Sequence, residues 1–211
     1  WSLRPWLVMR AAEVPFEEVS IPLRTPESRA RVLAVSPSGK VPALVTPEQT
    51  IWESLAIVEY LAELFPGKPV WPQDRIARAH ARAISNEMHG GFQTLRQVCP
   101  MNLGGRYQPP ELTEALKANV ARIEDIWAET RQRFGNGGTY LFGAFSAADA
   151  MYAPVVTRLD TYQIPVKTET RAYMDAILAH PDFTEWRQAA LQEPWFIPDY
   201  DAGHTLVQSY R

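Results

Sequence analysis

Apolar and polar positions change their pattern about a third of the way along the chain. Up to about Trp71, strand-like alternation and helix-like spacing take turns, whereas beyond it apolar residues recur at steps of three and four. Glycine and proline mark the boundaries between these segments. In the first part, the pattern predicts helices over 3–12, 26–34 and 54–65 and strands over 16–21, 41–45 and 50–52.

The second part of the chain has the pattern of helices joined by loops. The spacing predicts one long helix over 74–98, which the Gly90-Gly91 pair should weaken or bend. A second long helix is expected to begin at Pro109-Pro110 and to end in the glycine-rich segment 135–138. The remaining predictions are helices over 146–159, 168–178 and 182–191, a kink at Pro154, and an irregular tail from Glu193.

This order of elements predicts an α+β domain followed by an all-α bundle of helices. The segment 67–72, Gly-Lys-Pro-Val-Trp-Pro, has the composition of a linker because glycine and proline interrupt regular structure. We therefore expect one domain over 1–66 and a second, all-helical domain over 73–211.

Composition excludes several classes of partner and site. The chain has 21 Lys and Arg against 24 Asp and Glu, a net charge of −3, which argues against nucleic acid and anionic membranes. No stretch approaches the roughly 20 apolar residues of a membrane span. The single cysteine, Cys99, cannot form an internal disulfide, and the four histidines lack metal-ligand spacing. We expect a cytoplasmic protein with no metal.

The first motif combines 36–44, Ser-Pro-Ser-Gly-Lys-Val-Pro-Ala-Leu, with 52–56, Trp-Glu-Ser-Leu-Ala. A proline after the strand-like Val41 cannot donate to a sheet, so this turn is special. Cis peptide bonds are essentially a proline feature, although the dipeptide alone favours trans. Ser54 opens a predicted helix, where it could be a simple N-cap or could help the exposed N–H groups bind a carboxylate.

The second motif is Phe145-Ser-Ala-Ala-Asp149. Ser146 and Asp149 have the spacing of a capping box, in which each side chain bonds the backbone N–H of the other. We interpret Asp149 as a folding residue and not as a general base.

Together, the two motifs resemble the cytosolic glutathione transferase family, and Trp1-Ser-Leu-Arg-Pro-Trp6 is similar to bacterial, zeta-like members. The resemblance implies a thioredoxin-like domain that binds glutathione, followed by a helical domain that binds the second substrate. It also implies a thioredoxin-like first strand, which would lie before Trp1. We therefore expect the printed sequence to be N-terminally incomplete.

The resemblance assigns parts of glutathione to particular residues. Val41, with Pro42 in cis, would present its backbone to the cysteinyl part in the manner of an added strand. Ser54 would bind the γ-glutamyl carboxylate, and Glu53 or a neighbouring carboxylate would bind the amino group. Lys40 would reach the glycyl carboxylate, or would be an ordinary solvated loop lysine.

The expected chemistry is attack of the glutathione thiolate on a small hydrophobic electrophile, as in detoxification. In this family a Tyr, Ser or Cys at the end of the first strand or the start of the first helix activates the thiol. The resemblance places the usual serine one or two positions before Trp1, and Ser2 is the nearest hydroxyl of this chain, or an N-cap of the first helix. His89, Phe92 and Arg96 share a helix face and could line the second-substrate pocket, or a dimer interface or solvent.

Other functions remain open from the sequence. Zeta-like proteins include maleylacetoacetate-type isomerases that return glutathione unchanged, and a non-catalytic binding module could keep the same fold. A thioredoxin-type oxidoreductase is disfavoured because no cysteine lies near the first helix. The resemblance also implies a homodimer.

Overall fold

The computed structural model describes residues 1–194, 197 and 203–211. In chain order, its elements are α1 (Leu3–Ala11), α2 (Ser28–Leu33), β1 (Ala43–Val45), β2 (Thr50–Trp52), α3 (Ser54–Leu64), α4 (Arg75–Gly90), α5 (Gln93–Val98), β3 (Gly105–Tyr107), α6 (Glu114–Phe134), α7 (Ala147–Thr161), α8 (Thr168–Leu178), α9 (Pro181–Gln192) and β4 (Leu206–Ser209). The predicted fold class, a small α/β part followed by helices, is confirmed. None of the helices among the described residues is long and apolar enough to cross a membrane.

The first part contains one hairpin and three helices. Strands β1 and β2 pair antiparallel, with Leu44 opposite Ile51, and α1 packs against α3. The predicted strand over 16–21 is wrong, since this segment forms no ladder and 17–20 are exposed. Its alternating pattern has no described strand beside it to supply hydrogen bonds. Strand β1 begins two residues later than predicted.

The predicted helix over 74–98 is two helices. Asp74 caps α4, because its Oδ1 accepts hydrogen bonds from the N–H groups of Ile76 and Ala77 at 2.9 and 2.8 Å. Helix α4 ends at Gly90, and Phe92 adopts a left-handed backbone conformation with φ 58° before α5 begins. The glycine pair therefore marks a break and not a bend.

Two further predictions need correction. Helix α6 begins at Glu114 and not at Pro109, because the Thr113 side chain caps it by accepting from the Leu116 N–H at 3.3 Å. The tail is not wholly irregular, since β4 pairs antiparallel with β3. The rest of the tail prediction falls partly on 195–196 and 198–202, outside the described residues.

Helix α7 forms the centre of the core and connects the two parts of the chain. It packs against α1 on one side and against α4 and α8 on others, and all but two of its residues are buried. The predicted capping box is present: Asp149 Oδ2 accepts from the Ser146 N–H at 2.9 Å and from its hydroxyl at 3.0 Å. Asp149 also accepts from the Leu141 N–H and the Tyr173 hydroxyl. Pro154 lies inside this helix, as predicted.

Candidate functional site

The candidate site lies at the start of α3. Ser54 is the first residue of this helix and is fully buried, while Glu53 occupies the N-cap position with φ 72° and ψ 129°. The prediction that Ser54 is the N-cap is therefore wrong by one residue, and neither residue forms a side-chain cap. A non-glycine residue at these dihedral angles is strained, and such strain concentrates at functional sites.

Arg4 of α1 lies directly beside Ser54. Its side chain is buried, with a residue exposure of 1%, and Nη1 is 3.4 Å from the Ser54 Oγ. The same Nη1 is 3.4 Å from the His89 Nδ1, and Nη2 donates to the Met88 Sδ at 3.2 Å. Arg4 thus joins α1, α3 and α4 at one point.

His89 connects Arg4 with Glu53. Its Nε2 is 3.6 Å from the Glu53 Oε2. An arginine has no acceptor atom, so Nδ1 must accept from Arg4, and the ring proton then lies on Nε2, towards Glu53. Burial, Arg4 and Arg96 all lower the pKa of His89, while Glu53 raises it. Since the net effect lowers the pKa, His89 is neutral at pH 7.

Trp1 lies over two guanidinium groups. The Arg4 and Arg96 guanidiniums stand 4.2 and 5.0 Å from its ring centroid, and the His89 ring meets it edge-on at 5.3 Å. Arg96 is held by carbonyls at the end of α4, donating to Gly91 O at 2.9 Å and to Met88 O. These bonds satisfy helix-terminal carbonyls, a role that the sequence did not suggest.

Arg4 is a buried cation whose pKa is shifted by its surroundings. Burial first, and then the like charges of Arg96 and Arg158, lower the pKa of Arg4 to about 9, although the Glu53 carboxylate opposes the shift. The guanidinium therefore keeps its charge at pH 7. The arrangement is a buried cation with a carboxylate nearby, at the N–H end of a helix, which suits a ligand carrying both an anionic and a cationic group.

The loop before β1 holds the other residues that the sequence singled out. The Val41–Pro42 peptide bond is cis. Val41 makes no backbone hydrogen bond with the described residues, so its N–H and C=O are open to an extended ligand. The Lys40 side chain is exposed and forms no ion pair within the described part of the chain.

The structure brings some predicted site residues together and separates others. Ser54, Glu53, His89 and Arg96 form one cluster, whereas Phe92 is buried in the hydrophobic core. Ser2 holds the N-cap position of α1, but its side chain makes no cap hydrogen bond. The alternative prediction that Ser2 is the N-cap is confirmed for its position, although no side-chain hydrogen bond accompanies it.

Sequence reasoning missed Arg4 and Trp1. One signal was available, because Arg4 interrupts an otherwise apolar run from Leu3 to Met9. A charged residue within a helix that is apolar on all sides is buried, and buried charges need partners. Across the described residues, no group of three His, Cys, Asp or Glu side chains could hold a metal ion.

Comparison with known proteins identifies the family of the chain. Residues 1–64 match the family description "Glutathione S-transferase, N-terminal domain", and residues 76–189 match "Glutathione S-transferase, C-terminal domain". The probable maleylacetoacetate isomerase of Caenorhabditis elegans is 31% identical over 86% of this chain and 88% of that protein. Human glutathione S-transferase omega-2 is 29% identical over 92% of this chain and 73% of that protein.

Solved structures share the fold. A glutathione transferase homolog from Burkholderia gl BGR1, crystallised with bound glutathione, has a TM-score of 0.67 at 22% identity, covering 89% of this chain and 90% of that one. A diazinon-metabolizing glutathione S-transferase from the silkworm Bombyx mori has a TM-score of 0.70 at 19% identity, covering 90% and 92%. The family descriptions account for both parts of the sequence, and the chain belongs to the glutathione S-transferase family.

Proposed function

We propose that the protein binds glutathione at the start of α3 and conjugates its thiol to a small hydrophobic electrophile. The observation that supports this most is the pairing of a buried serine with a strained glutamate, Ser54 and Glu53, at one helix start. The γ-glutamyl end of glutathione carries one carboxylate and one ammonium group. A hydroxyl with helix N–H groups suits the carboxylate, and the Glu53 carboxylate suits the ammonium.

The loop before β1 would hold the rest of the tripeptide. The free N–H and C=O of Val41 suit the cysteinyl backbone, which would pair as an added strand beside Pro42. Lys40 is exposed and flexible, and its point charge suits the glycyl carboxylate.

Glutathione supplies a thiol with a pKa near 8.5, and its thiolate form is the nucleophile. The contribution of this chain is to donate a hydrogen bond to the sulfur, which favours the thiolate. Ser2 is our proposed donor, because its half-buried hydroxyl is not engaged in capping α1.

The second substrate would bind on the α4 side of the candidate site. His89 and Arg96 both contact Trp1, and we propose these two residues, together with Phe92, as the pocket for the electrophile. We also propose a cytoplasmic homodimer with a role in detoxification and with domains over 1–66 and 73–211.

A second candidate function is glutathione-dependent isomerisation. It is favoured by the name of one relative, a probable maleylacetoacetate isomerase in Caenorhabditis elegans. A non-catalytic glutathione-binding module is the third candidate.

Calorimetric titration with glutathione tests binding first, with S-methylglutathione as a ligand that binds but cannot react. Conjugation is then followed by absorbance with 1-chloro-2,4-dinitrobenzene, and isomerisation with a maleyl-type dicarboxylate. Binding with conjugate formation supports the transferase, and binding with isomer formation alone supports the second candidate. Binding without either product supports the module, and absence of binding overturns the proposal.

A further inference from the structure

Arg4 is a buried cation whose hydrogen-bond partners are all uncharged. Its Nη atoms contact a serine hydroxyl, a neutral histidine nitrogen and a thioether, and its buried Nε has no partner among the described residues. No carboxylate among those residues forms an ion pair with it. The charge of Glu53 raises the pKa of Arg4, but the side chain that the Glu53 carboxylate contacts is His89.

Such an arrangement is unfavourable for the protein without ligand. A buried guanidinium loses its hydration, and the Ser54 hydroxyl, the His89 ring, the Met88 sulfur and the Trp1 ring replace it without supplying a negative charge. Arg96 and Arg158 add like charge to the same region. Arg4 is therefore a buried cation beside Ser54 without an ion pair among the described residues, and an anion would neutralise it.

The geometry points to a carboxylate as that anion. Both the Arg4 guanidinium and the Ser54 hydroxyl are donors, and their 3.4 Å separation is long for a hydrogen bond between them. A carboxylate placed there could accept from both at once.

We propose that Arg4 binds the γ-glutamyl carboxylate of glutathione together with Ser54. This inference rests on the proposed function, since it names a further residue of the same ligand site. Neutral His89 contacts the guanidinium through Nδ1, and its Nε2 lies 3.6 Å from the Glu53 Oε2, so the carboxylate assigned to the ammonium group lies on the other side of the same ring. Arg4, His89 and Glu53 therefore form one series of contacts. At one end the Arg4 guanidinium would bind the ligand carboxylate, and at the other end the Glu53 carboxylate would bind the ligand ammonium group.

The experiment compares glutathione with two analogues by calorimetry. In 4-aminobutyryl-cysteinylglycine the γ-glutamyl carboxylate is missing, and in glutaryl-cysteinylglycine the ammonium is missing. The proteins are the wild type, Arg4→Met and Arg10→Met. Arg10 is a matched control because it lies on the same helix, exposed and paired with Asp182 and Glu185.

We expect the wild type and Arg10→Met to bind the carboxylate-free analogue about 30-fold more weakly than glutathione, the size of a charge-assisted hydrogen bond. In Arg4→Met, the affinity for glutathione itself should fall by a similar factor. The ratio between the affinities for glutathione and this analogue should then fall to about 3-fold or less. The effect of removing the ammonium stays unchanged in Arg4→Met. Without ligand, we expect Arg4→Met to melt at a higher temperature than the wild type, because it removes an uncompensated buried charge.

Several results would overturn the inference. In the wild type, the carboxylate-free analogue should bind more weakly than glutathione by a certain factor. If Arg4→Met shows the same factor, Arg4 does not bind the γ-glutamyl carboxylate. If Arg4→Met weakens only an acidic second substrate, the carboxylate belongs to that substrate. If Arg4→Met does not fold, Arg4→Lys is measured in its place, because lysine keeps the charge but lacks the planar pair of donors. An unchanged ratio between the affinities for glutathione and the carboxylate-free analogue in that variant excludes the contact. Absence of any glutathione binding by the wild type is a different failure, that of the proposed function.

Discussion

Glu53 and His89 face each other between α3 and α4, with the Glu53 Oε2 3.6 Å from the His89 Nε2. Glu53 holds this position with a backbone conformation, φ 72° and ψ 129°, that only glycine adopts readily. The strain is located at the residue whose carboxylate we assign to the ammonium group of glutathione. We infer that the strained backbone of Glu53 lowers the stability of the folded protein and fixes the position of the Glu53 carboxylate.

Replacing Glu53 with glycine is expected to separate these two effects. Glu53→Gly relieves the backbone strain, so we expect the free energy of unfolding in urea to rise by about 1 kcal/mol, after allowing for the greater chain entropy of glycine. The same substitution removes the carboxylate, so glutathione affinity measured by calorimetry should fall about 10-fold or more.

Glu53→Gln is the control for this prediction. It keeps the strained backbone but removes the charge, so glutathione binding should weaken without any gain in stability. A Glu53→Gly protein that is less stable than the wild type would show that the backbone conformation is not strained.

Parts of the fold could be predicted from local sequence alone. The capping box of Ser146 and Asp149 depends only on residues three apart, and the hairpin residues 50–52 lie where an alternating pattern follows a short turn. Such features are set by nearby residues, so a single sequence contains the information needed to find them.

Other features depend on contacts distant in sequence. Strands β3 and β4 have three and four residues and pair across about a hundred intervening residues, so neither gives a periodic signal. The break at Phe92 depends on how a buried side chain fits the core. Arg4 lies in a correctly predicted helix, but its contacts with Ser54 and His89 exist only once three helices have packed.

Ser54 and Ser85 form a matched pair of buried serines, both fully buried. Ser54→Ala removes a hydroxyl that we assign to the glutathione carboxylate, so affinity in calorimetry should fall about 10-fold while stability changes by less than about 1 kcal/mol. Ser85→Ala removes a buried hydroxyl without a hydrogen-bond partner among the described residues. We expect it to leave affinity unchanged and to raise the free energy of unfolding by about 1 kcal/mol, because alanine also favours the helix. Equal affinities for Ser54→Ala and wild type would remove Ser54 from the binding site.

The contact between β3 and β4 can be tested at Gly105. A Cβ there would lie 2.6 Å from the Leu206 Cδ1 and 3.0 Å from the Gln208 carbonyl oxygen. Gly105→Ala should therefore weaken the pairing, lowering stability by about 1–3 kcal/mol and speeding hydrogen exchange of 206–209. Gly67→Ala is the control, since a Cβ at Gly67 meets no atom within 4 Å. If the two variants exchange equally slowly, β4 does not depend on close packing at Gly105.

Asp149 is a fully buried carboxylate at the start of α7. Burial raises its pKa from 3.8 to about 6, although hydrogen bonds from Leu141, Ser146 and Tyr173 favour the charged form and oppose the rise. The folded protein therefore holds the Asp149 proton more tightly than the unfolded chain does. It follows that the contribution of Asp149 to stability is complete below pH 3.8 and is lost as the pH rises through about 6.

Asp149→Ala is expected to show this dependence in urea unfolding at pH 4.5 and pH 7.5. At pH 7.5 we expect a loss of at least about 2 kcal/mol, because the truncation leaves buried donors of Leu141, Ser146 and Tyr173 unpaired. At pH 4.5 the loss should be larger by about 2 kcal/mol. At this pH the folded wild type binds a proton at Asp149 that the unfolded chain mostly does not, and the variant lacks this stabilisation. Thr113→Ala, which removes the non-titrating cap of α6, should cost about 1 kcal/mol equally at both values. A loss for Asp149→Ala that does not grow towards low pH would mean that the hydrogen bonds outweigh burial and keep the carboxylate charged.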